Sequence, residues 1–430
     1  MSAPTTARPN WLAARRDRTS TALDQCFAEG LTGHTVIARE GKLVKLQDGS
    51  TATEFVSCSY LGLESHPDLS EAVVSATRMF GVHLSSSRNR MRPSYLPELE
   101  ELLARIYPGA APCVFTSTSN VHLGVLPLLA SGSLPSYPVA GEPHFLVDRT
   151  AHASMQVLRG IFEQFGPVSR FRSEDPASAD AALAEVRAAG RTPIVLVDGV
   201  GSMNGLIPVA ELAELAAAAG GYLYVDDAHG ISIDGRSGCG YAFDALGGAL
   251  PGNVVLAGSL SKGFGGSGGF LLAASPEDVA VVRKLANPLV FGHSVMVPMM
   301  AANVAAARIH LSPEIGTLQD RLWENAARLD ALTGGKLANS GLRSPIRGAV
   351  FGTEEDGLRT VRLLKERGII MLPAFYPTVP QGSSLLRFAL SSLHTDDELA
   401  LLASTLEEIG GYGSGTGPQD GPERQRGESD

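Results

Sequence analysis

The chain predicts an α/β fold with a mostly parallel central sheet, and three observations carry that expectation. Four short apolar runs, at 144–148, 194–198, 222–226 and 254–258, have the length of buried strands, and the first three end in aspartate. Between them, residues 177–189 and 209–219 repeat apolar side chains at helical spacing, so strands and helices alternate as crossover units do. At 430 residues the chain also exceeds what one compact core usually takes, which predicts two or three lobes.

Taken in order, residues 1–18 carry arginines but no hydrophobic core region, so they do not read as a secretory signal. The absence of acidic residues before Asp17 is shared with transit peptides. Residues 40–59 contain short apolar segments around a turn at Asp48-Gly49-Ser50, which predicts a small hairpin leading into Ser59-Tyr60-Leu61-Gly62-Leu63. Leu96, Leu99, Leu102, Leu103 and Ile106 share one helical face, and an apolar strand over 113–115 follows, then a hydroxyl-rich turn and another helix. After the alternating region, the texture changes at Pro313 to an amphipathic helix over 318–332 and short strands near 349–351 and 386–390. The Gly-, Pro- and charge-rich end has the composition of a disordered tail. The resulting division is an N-terminal arm over 1–60, a large α/β domain over 61–310, a small C-terminal α+β domain over 311–410 and a tail over 411–430.

Composition narrows the function classes. A formal charge of −10 leaves no general basic surface for nucleic acid. No stretch approaches the roughly 20 apolar residues of a membrane span. Cys26, Cys58, Cys113 and Cys239 are scattered without metal-ligand spacing, which argues against a zinc site or a disulfide framework and for a reducing cytoplasm.

Chemistry concentrates in two motifs. Lys262 stands alone among hydroxyls and glycines in Gly258-Ser259-Leu260-Ser261-Lys262-Gly263-Phe264-Gly265, the setting of a Schiff-base lysine. Asp226-Asp227-Ala228-His229-Gly230 places a carboxylate and an imidazole at the C-terminal end of a strand, where functional groups of parallel sheets collect. Together they suggest a pyridoxal phosphate site, in which a buried carboxylate keeps the pyridine nitrogen protonated and an imidazole bonds the ring hydroxyl. A strand ending in Asp-Asp also resembles a Walker B box, but nothing upstream matches GxxxxGK[ST]. A metal on Asp226 and His229 lacks a third ligand by spacing, so no metal is expected.

These two motifs, in this order, resemble the α-oxoamine synthase family of fold-type-I pyridoxal-phosphate-dependent transferases, and the resemblance spans roughly residues 11–409. It implies an aspartate aminotransferase-like fold, with a large domain and a smaller C-terminal α+β domain. It implies that Lys262 holds the cofactor and later moves the substrate's Cα proton, and that Asp226 and His229 hold the ring. By the same resemblance, Asp148-Arg149-Thr150-Ala151-His152 nominates His152 to stack on the ring, although by itself His152 reads as a helix-cap histidine. Asp198-Gly199-Val200-Gly201-Ser202-Met203-Asn204-Gly205 nominates Ser202 beside the ring hydroxyl. Thr116-Ser117-Thr118-Ser119-Asn120, opening a helix, offers main-chain N–H groups to a phosphate, and Ser259 joins Thr118 and Ser119 in that role. Ser294, in Phe291-Gly292-His293-Ser294, corresponds to a segment that reaches a partner subunit's phosphate and so implies a homodimer. Arg387, in Leu385-Leu386-Arg387-Phe388, corresponds to the arginine that binds the amino-acid carboxylate.

The chain departs from the family pattern in three places. Thr118-Ser119 replaces Gly-Phe. Cys58 replaces an asparagine that contacts substrate. The box from Ser87 to Glu100 is one residue short and resembles that of an autoinducer-synthase branch. In it, Arg88, Arg90 and Arg92 have two readings: contacts to a phosphorylated carrier such as CoA, or a solvated face. The implied reaction is the decarboxylative condensation of a small α-amino acid with a thioester of CoA or acyl carrier protein. The alternatives on this scaffold are an aminotransferase, a C–C lyase or a non-catalytic subunit.

Overall fold

Side chains apolar on both faces dictate the central sheet of the computed structural model, which describes residues 21–413 apart from Asn89, Asn204 and Pro377. The expectations for residues 1–18 fall outside that range. Near the N-terminus lie β1 (Val36–Glu40), β2 (Leu43–Leu46) and β3 (Thr51–Glu54). The large unit adds β4 (Ala111–Phe115), β5 (Pro143–Asp148), β6 (Val168–Phe171) and β7 (Thr192–Asp198). It continues with the two-residue strands β8 (Val200–Gly201) and β9 (Gly205–Leu206), then β10 (Tyr222–Asp226), β11 (Val254–Ser259) and β12 (Gly269–Ala273). The C-terminal segment holds β13 (Ile346–Phe351), β14 (Ile369–Ile370), β15 (Leu372–Ala374) and β16 (Ser384–Ala389).

The central sheet has the order β4-β12-β11-β10-β7-β5-β6. Pairs from β6 through β11 are parallel, and β12 runs antiparallel to both β11 and β4. The sheet is therefore mixed but mostly parallel. Alternate residues feed two cores: Val195, Val197, Leu223, Val225 and Leu256 pack on one face, and Ile194, Leu196, Tyr224, Val255 and Ala257 on the other. Burial on both faces is why these strands read as unbroken apolar runs rather than alternating ones. Register matters more for function than the core does: Asp226 pairs with Asp198 on one side and Ala257 on the other, so β7 and β10 end level and β11 runs two residues further, to Ser259.

The predicted hairpin is β2 and β3, with Asp48 Oδ1 accepting from the Ser50 N–H at the turn. Its sheet is completed by β14, in the order β1-β2-β3-β14, so the N-terminal strands share a sheet with the C-terminal segment. A separate three-stranded sheet, β13-β16-β15, carries Arg387 in its middle strand. Gly413 pairs with Val350 through both main-chain groups, so the start of the expected tail extends this unit. Residues 414–430 lie outside the described residues.

The small unit is stitched by a buried cation. Arg347 is 1 % exposed; its Nε and Nη2 donate to Asp330 Oδ1 and Oδ2 at 2.7 and 2.8 Å, and Nη1 donates to the Ser344 carbonyl at 2.6 Å. Burial would raise the Asp330 carboxyl, but the Arg347 guanidinium outweighs it and holds the group below its usual range. Stability from that shift is present above the unfolded pKa and is lost as pH falls through the depressed folded one. Replacing Arg347 with Met should leave the buried acceptors unpaired and cost about 3 kcal/mol, read as a lower urea midpoint for the C-terminal unit.

Candidate active site

Three carboxylates meet at the level ends of β7 and β10. Asp226 is 5 % exposed, its Oδ2 accepts from His122 Nε2 at 3.0 Å, and its Oδ1 accepts from the Ala228 N–H at 3.0 Å. Burial raises a carboxyl, yet His122 first, then Lys262, outweigh it and hold Asp226 well below the usual carboxylate range. Asp198 shows the opposite balance: burial, then the neighbouring Asp226 charge, push it well above that range. Asp227, wholly buried with its Oδ2 accepting from the Ala242 N–H at 3.0 Å, is raised as well, by burial and then by Asp226. The surroundings thus favour the anion at Asp226 and the neutral acid at Asp198 and Asp227.

Lys262 follows β11. Burial, reinforced by the Arg387 cation, depresses the proton affinity of its amine, while Asp226, Cys58 and Asp198 oppose that shift. The loop around Lys262 is shaped by glycine. Gly265 has φ +83°, and a Cβ there would stand 2.4 Å from Leu63 Cβ. Across the strand ends, the helix Thr118–Ala130 begins with Ser117 as its N-cap, the Ser117 side chain accepting from the Asn120 N–H. The first-turn N–H groups of Thr118 and Ser119 have no acceptor within a helix by geometry. A Cβ on Gly269 would stand 2.5 Å from the Thr118 nitrogen, so β12 starts directly against this helix end. The Thr118 hydroxyl donates to the Gly258 carbonyl at 3.1 Å, which leaves its main-chain N–H as the anion-facing group. Ser259, 4 % exposed, accepts from the Ser261 N–H.

His229 is 6 % exposed, and its Nδ1 lies 2.6 Å from the Tyr60 hydroxyl. Burial, then the Lys262 and Arg387 cations, drive the imidazole well below its ordinary proton affinity, and burial keeps the Tyr60 phenol protonated. A Tyr60 O–H donated to Nδ1 would place the ring proton of this neutral imidazole on Nε2. His152 N-caps the short helix Ala153–Gln156, as its bare reading predicted, and its own N–H donates to Asp198 Oδ1 at 3.0 Å. Its ring is exposed, and its proton affinity is lowered by burial first and by Lys262 and His122, with Asp226 opposing. An exposed ring tethered at that height is what a stacking role requires.

Arg387 is 9 % exposed. Its Nη2 approaches Cys58 Sγ at 3.7 Å, Nη1 approaches the Ser202 carbonyl at 3.5 Å, and Nε is buried with no partner. This brings Arg387, Cys58 and Ser202 together. Cys58 is held from behind, where buried Lys42 donates to Glu54, Ser57 and Ser59 at 2.8–2.9 Å. Ser294 lies elsewhere, half-buried in a surface loop beside Phe291, which is 84 % exposed. Arg88 is buried and donates to the Val114 carbonyl, so it is a packing residue and not a carrier contact; Arg90 and Arg92 are exposed.

The donor set fits pyridoxal phosphate. A free helix start suits its phosphate, a carboxylate held anionic suits its ring nitrogen, and a lysine of depressed proton affinity suits its aldehyde. Two contributors lay outside the sequence reading. Tyr60 sits inside a quoted motif but had no assigned role, and its signal was a hydroxyl just before Leu61-Gly62-Leu63. His122 was passed over in an apolar helix, although it lies one turn beyond Thr118 and so on the same helix face. Tyr60→Phe should retain cofactor but release the His229 tautomer, seen as a Nδ1-protonated population by nitrogen NMR, with kcat down roughly tenfold for one lost hydrogen bond.

Comparison with known proteins agrees with this site. The profile of the family described as aminotransferase class I and II matches residues 52–406. An 8-amino-7-oxononanoate synthase of Methylocella silvestris is 32 % identical over 371 residues, covering 85 % of this chain and 98 % of that protein. A serine palmitoyltransferase of Caulobacter vibrioides is 32 % identical over 368 residues, covering 84 % and 87 %. Among solved structures, the Sphingomonas wittichii serine palmitoyltransferase superposes with a TM-score of 0.79 at 23 % identity, over 95 % of this chain and 98 % of that one, which shows the fold. With a fold-type-I architecture and a site whose donors fit pyridoxal phosphate, the chain belongs to the aminotransferase class I and II family and, within it, to the pyridoxal-phosphate-dependent α-oxoamine synthases.

Proposed function

We infer that this protein is an acyltransferase that condenses a small α-amino acid with an acyl thioester, releasing carbon dioxide and the free thiol and leaving an α-aminoketone. The observation that carries the reading is Arg387: a buried guanidinium whose Nε has no partner, beside Lys262 and Asp226, in a chain one-third identical to enzymes named for such products. A buried cation without a counter-charge is costly, and a planar carboxylate bound bidentately would relieve it.

Lys262, Asp226, His229, His152, Ser202, Ser259 and the N–H groups of Thr118 and Ser119 would hold pyridoxal phosphate, which when bound supplies an electron sink for negative charge at the substrate's Cα. Arg387 orients the amino acid by its carboxylate, and that orientation decides which Cα bond is weakened. Lys262 Nζ, with its proton affinity depressed by burial and by Arg387, is a free base at lower pH than an exposed lysine and takes the Cα proton. His229 offers its Nε2–H to the ring hydroxyl oxygen. Asp226 remains anionic opposite the ring nitrogen. Cys58, in place of an amide, makes the wall beside Arg387 less polar and would admit a different substrate contact.

The active form is proposed to be a homodimer in the cytoplasm. Met79, Val82, Met91, Phe291 and Met296 are exposed apolar side chains, and Val82 and Val297 join by a main-chain hydrogen bond, so the helix Pro67–Phe80 and the 291–296 loop share a face that a second copy would cover. That would carry Ser294 toward the partner's phosphate. Four unpaired cysteines suit a reducing compartment. Among the described residues no helix is long and apolar enough to cross a membrane.

The test loads the enzyme with pyridoxal phosphate and pairs carboxyl-labelled glycine, alanine or serine with a panel of acyl-CoAs and acyl carrier proteins. Carbon dioxide and thiol should appear one to one, and only with both substrates present. Keto acid formed without thioester would make it an aminotransferase. Arg387→Ala should raise the amino-acid KM by roughly a hundredfold, as for the loss of a charge-assisted bidentate pair, and leave the thioester KM near its original value.

A further inference from the structure

Asp226 is not held by the main chain alone. His122, fully buried on the helix Thr118–Ala130, places Nε2 at 3.0 Å from Asp226 Oδ2 and Nδ1 at 2.8 Å from the Tyr224 hydroxyl. Tyr224 and Asp226 are two residues apart on β10, so their side chains leave the same face of the sheet, and the histidine ring spans them, edge-on to the tyrosine at 5.6 Å between centroids. Tyr224 is 0 % exposed. Asp226, held anionic, can only accept, so the Nε2 facing it carries a proton. In the neutral ring Nδ1 is then an acceptor, and the Tyr224 hydroxyl donates to it. Each member fixes the proton of the next.

We propose that Tyr224 and His122 are positioning residues of a buried relay that keeps Asp226 an oriented anion, and thereby keeps the proton of the pyridoxal phosphate ring on its nitrogen. The proposal rests on the reading of Asp226 as the partner of that nitrogen. Its physical content is a competition for one proton. Burial favours a neutral carboxyl, and the Nε2–H of His122 is the side-chain donor that opposes it. Without that donor the proton would move along the Asp226–nitrogen hydrogen bond onto the carboxylate, and the ring would lose the positive charge that draws electrons from Cα. Because the relay starts on the helix whose first turn faces the phosphate, it also ties the ring nitrogen and the phosphate to one rigid element.

The test uses the full-length holoenzyme reconstituted with pyridoxal phosphate labelled with nitrogen-15 in the ring. The measurements are the ring-nitrogen chemical shift, the cofactor dissociation constant, and kcat and KM for condensation. Wild type should show a protonated nitrogen, and Asp226→Ala should lose that signal. His122→Phe should move the signal toward the unprotonated position and lower kcat roughly tenfold or more, with the amino-acid KM within about twofold. Tyr224→Phe, which deletes one oxygen and keeps the packing, should move both in the same direction by less, and His122→Gln, which can present an N–H, should recover part of the loss. If His122→Phe fails to fold, Tyr224→Phe and His122→Gln still decide the matter. A wild-type shift and kcat in the foldable relay variants, alongside a changed shift in Asp226→Ala, would overturn the relay and leave the reading of Asp226 intact. An unchanged shift in Asp226→Ala would overturn both.

Discussion

A single retained charge organises this site. Asp226 is buried deeply enough that an unpaired carboxylate there would cost several kcal/mol, and it stays anionic only because His122, the Ala228 N–H and the Lys262 cation converge on it. Burial first, and this anion after it, shift Asp198 and Asp227 toward the neutral acid. It also opposes the depression of Lys262 that burial causes. Asp198 in turn accepts the N–H of His152 and fixes the start of the short helix that this histidine caps. Several of the residues assigned to the cofactor thus answer electrostatically to one carboxylate.

The sheet register makes that convergence possible. Because Asp226 pairs with Asp198 and with Ala257, β7 and β10 end together and β11 two residues beyond them, and the loops after β10 and β11 carry His229 and Lys262. The antiparallel β12 closes the other side, where glycine at 269 lets the strand start against the first turn of the helix Thr118–Ala130. The first-turn N–H groups of that helix and the loop that carries Lys262 are therefore anchored on adjoining strands and helix.

The C-terminal segment contributes the buried cation proposed to bind the substrate. Arg387 lies on the middle strand of β13-β16-β15, and it reaches Cys58 and Ser202, which belong to the N-terminal segment and the large unit. Its position depends on three separate parts of the chain packing together. The ion pair of Arg347 with Asp330 and the Lys42 cluster behind Cys58 hold two of those parts in place.

The order of elements and the kind of cofactor were legible in the chain itself. Buried parallel strands have to be written as apolar runs, and a reactive lysine among glycines has few structural reasons to exist, so Lys262, Asp226 and His229 stood out by local pattern. β12 did not, because its glycine-rich approach reads as a loop until β4 and β11 pair with it. His122 and Tyr60 were also silent, since their partners are 104 and 169 residues away and nothing in local spacing links them. Arg88 went the other way: charge in a loop left a carrier contact or a solvated face as its readings, and packing buried it against Val114. Local chemistry thus determined which residues react, whereas tertiary structure alone decided which neighbours orient them, because hydrogen-bond partners across a fold are set by distance in space and leave no period in sequence.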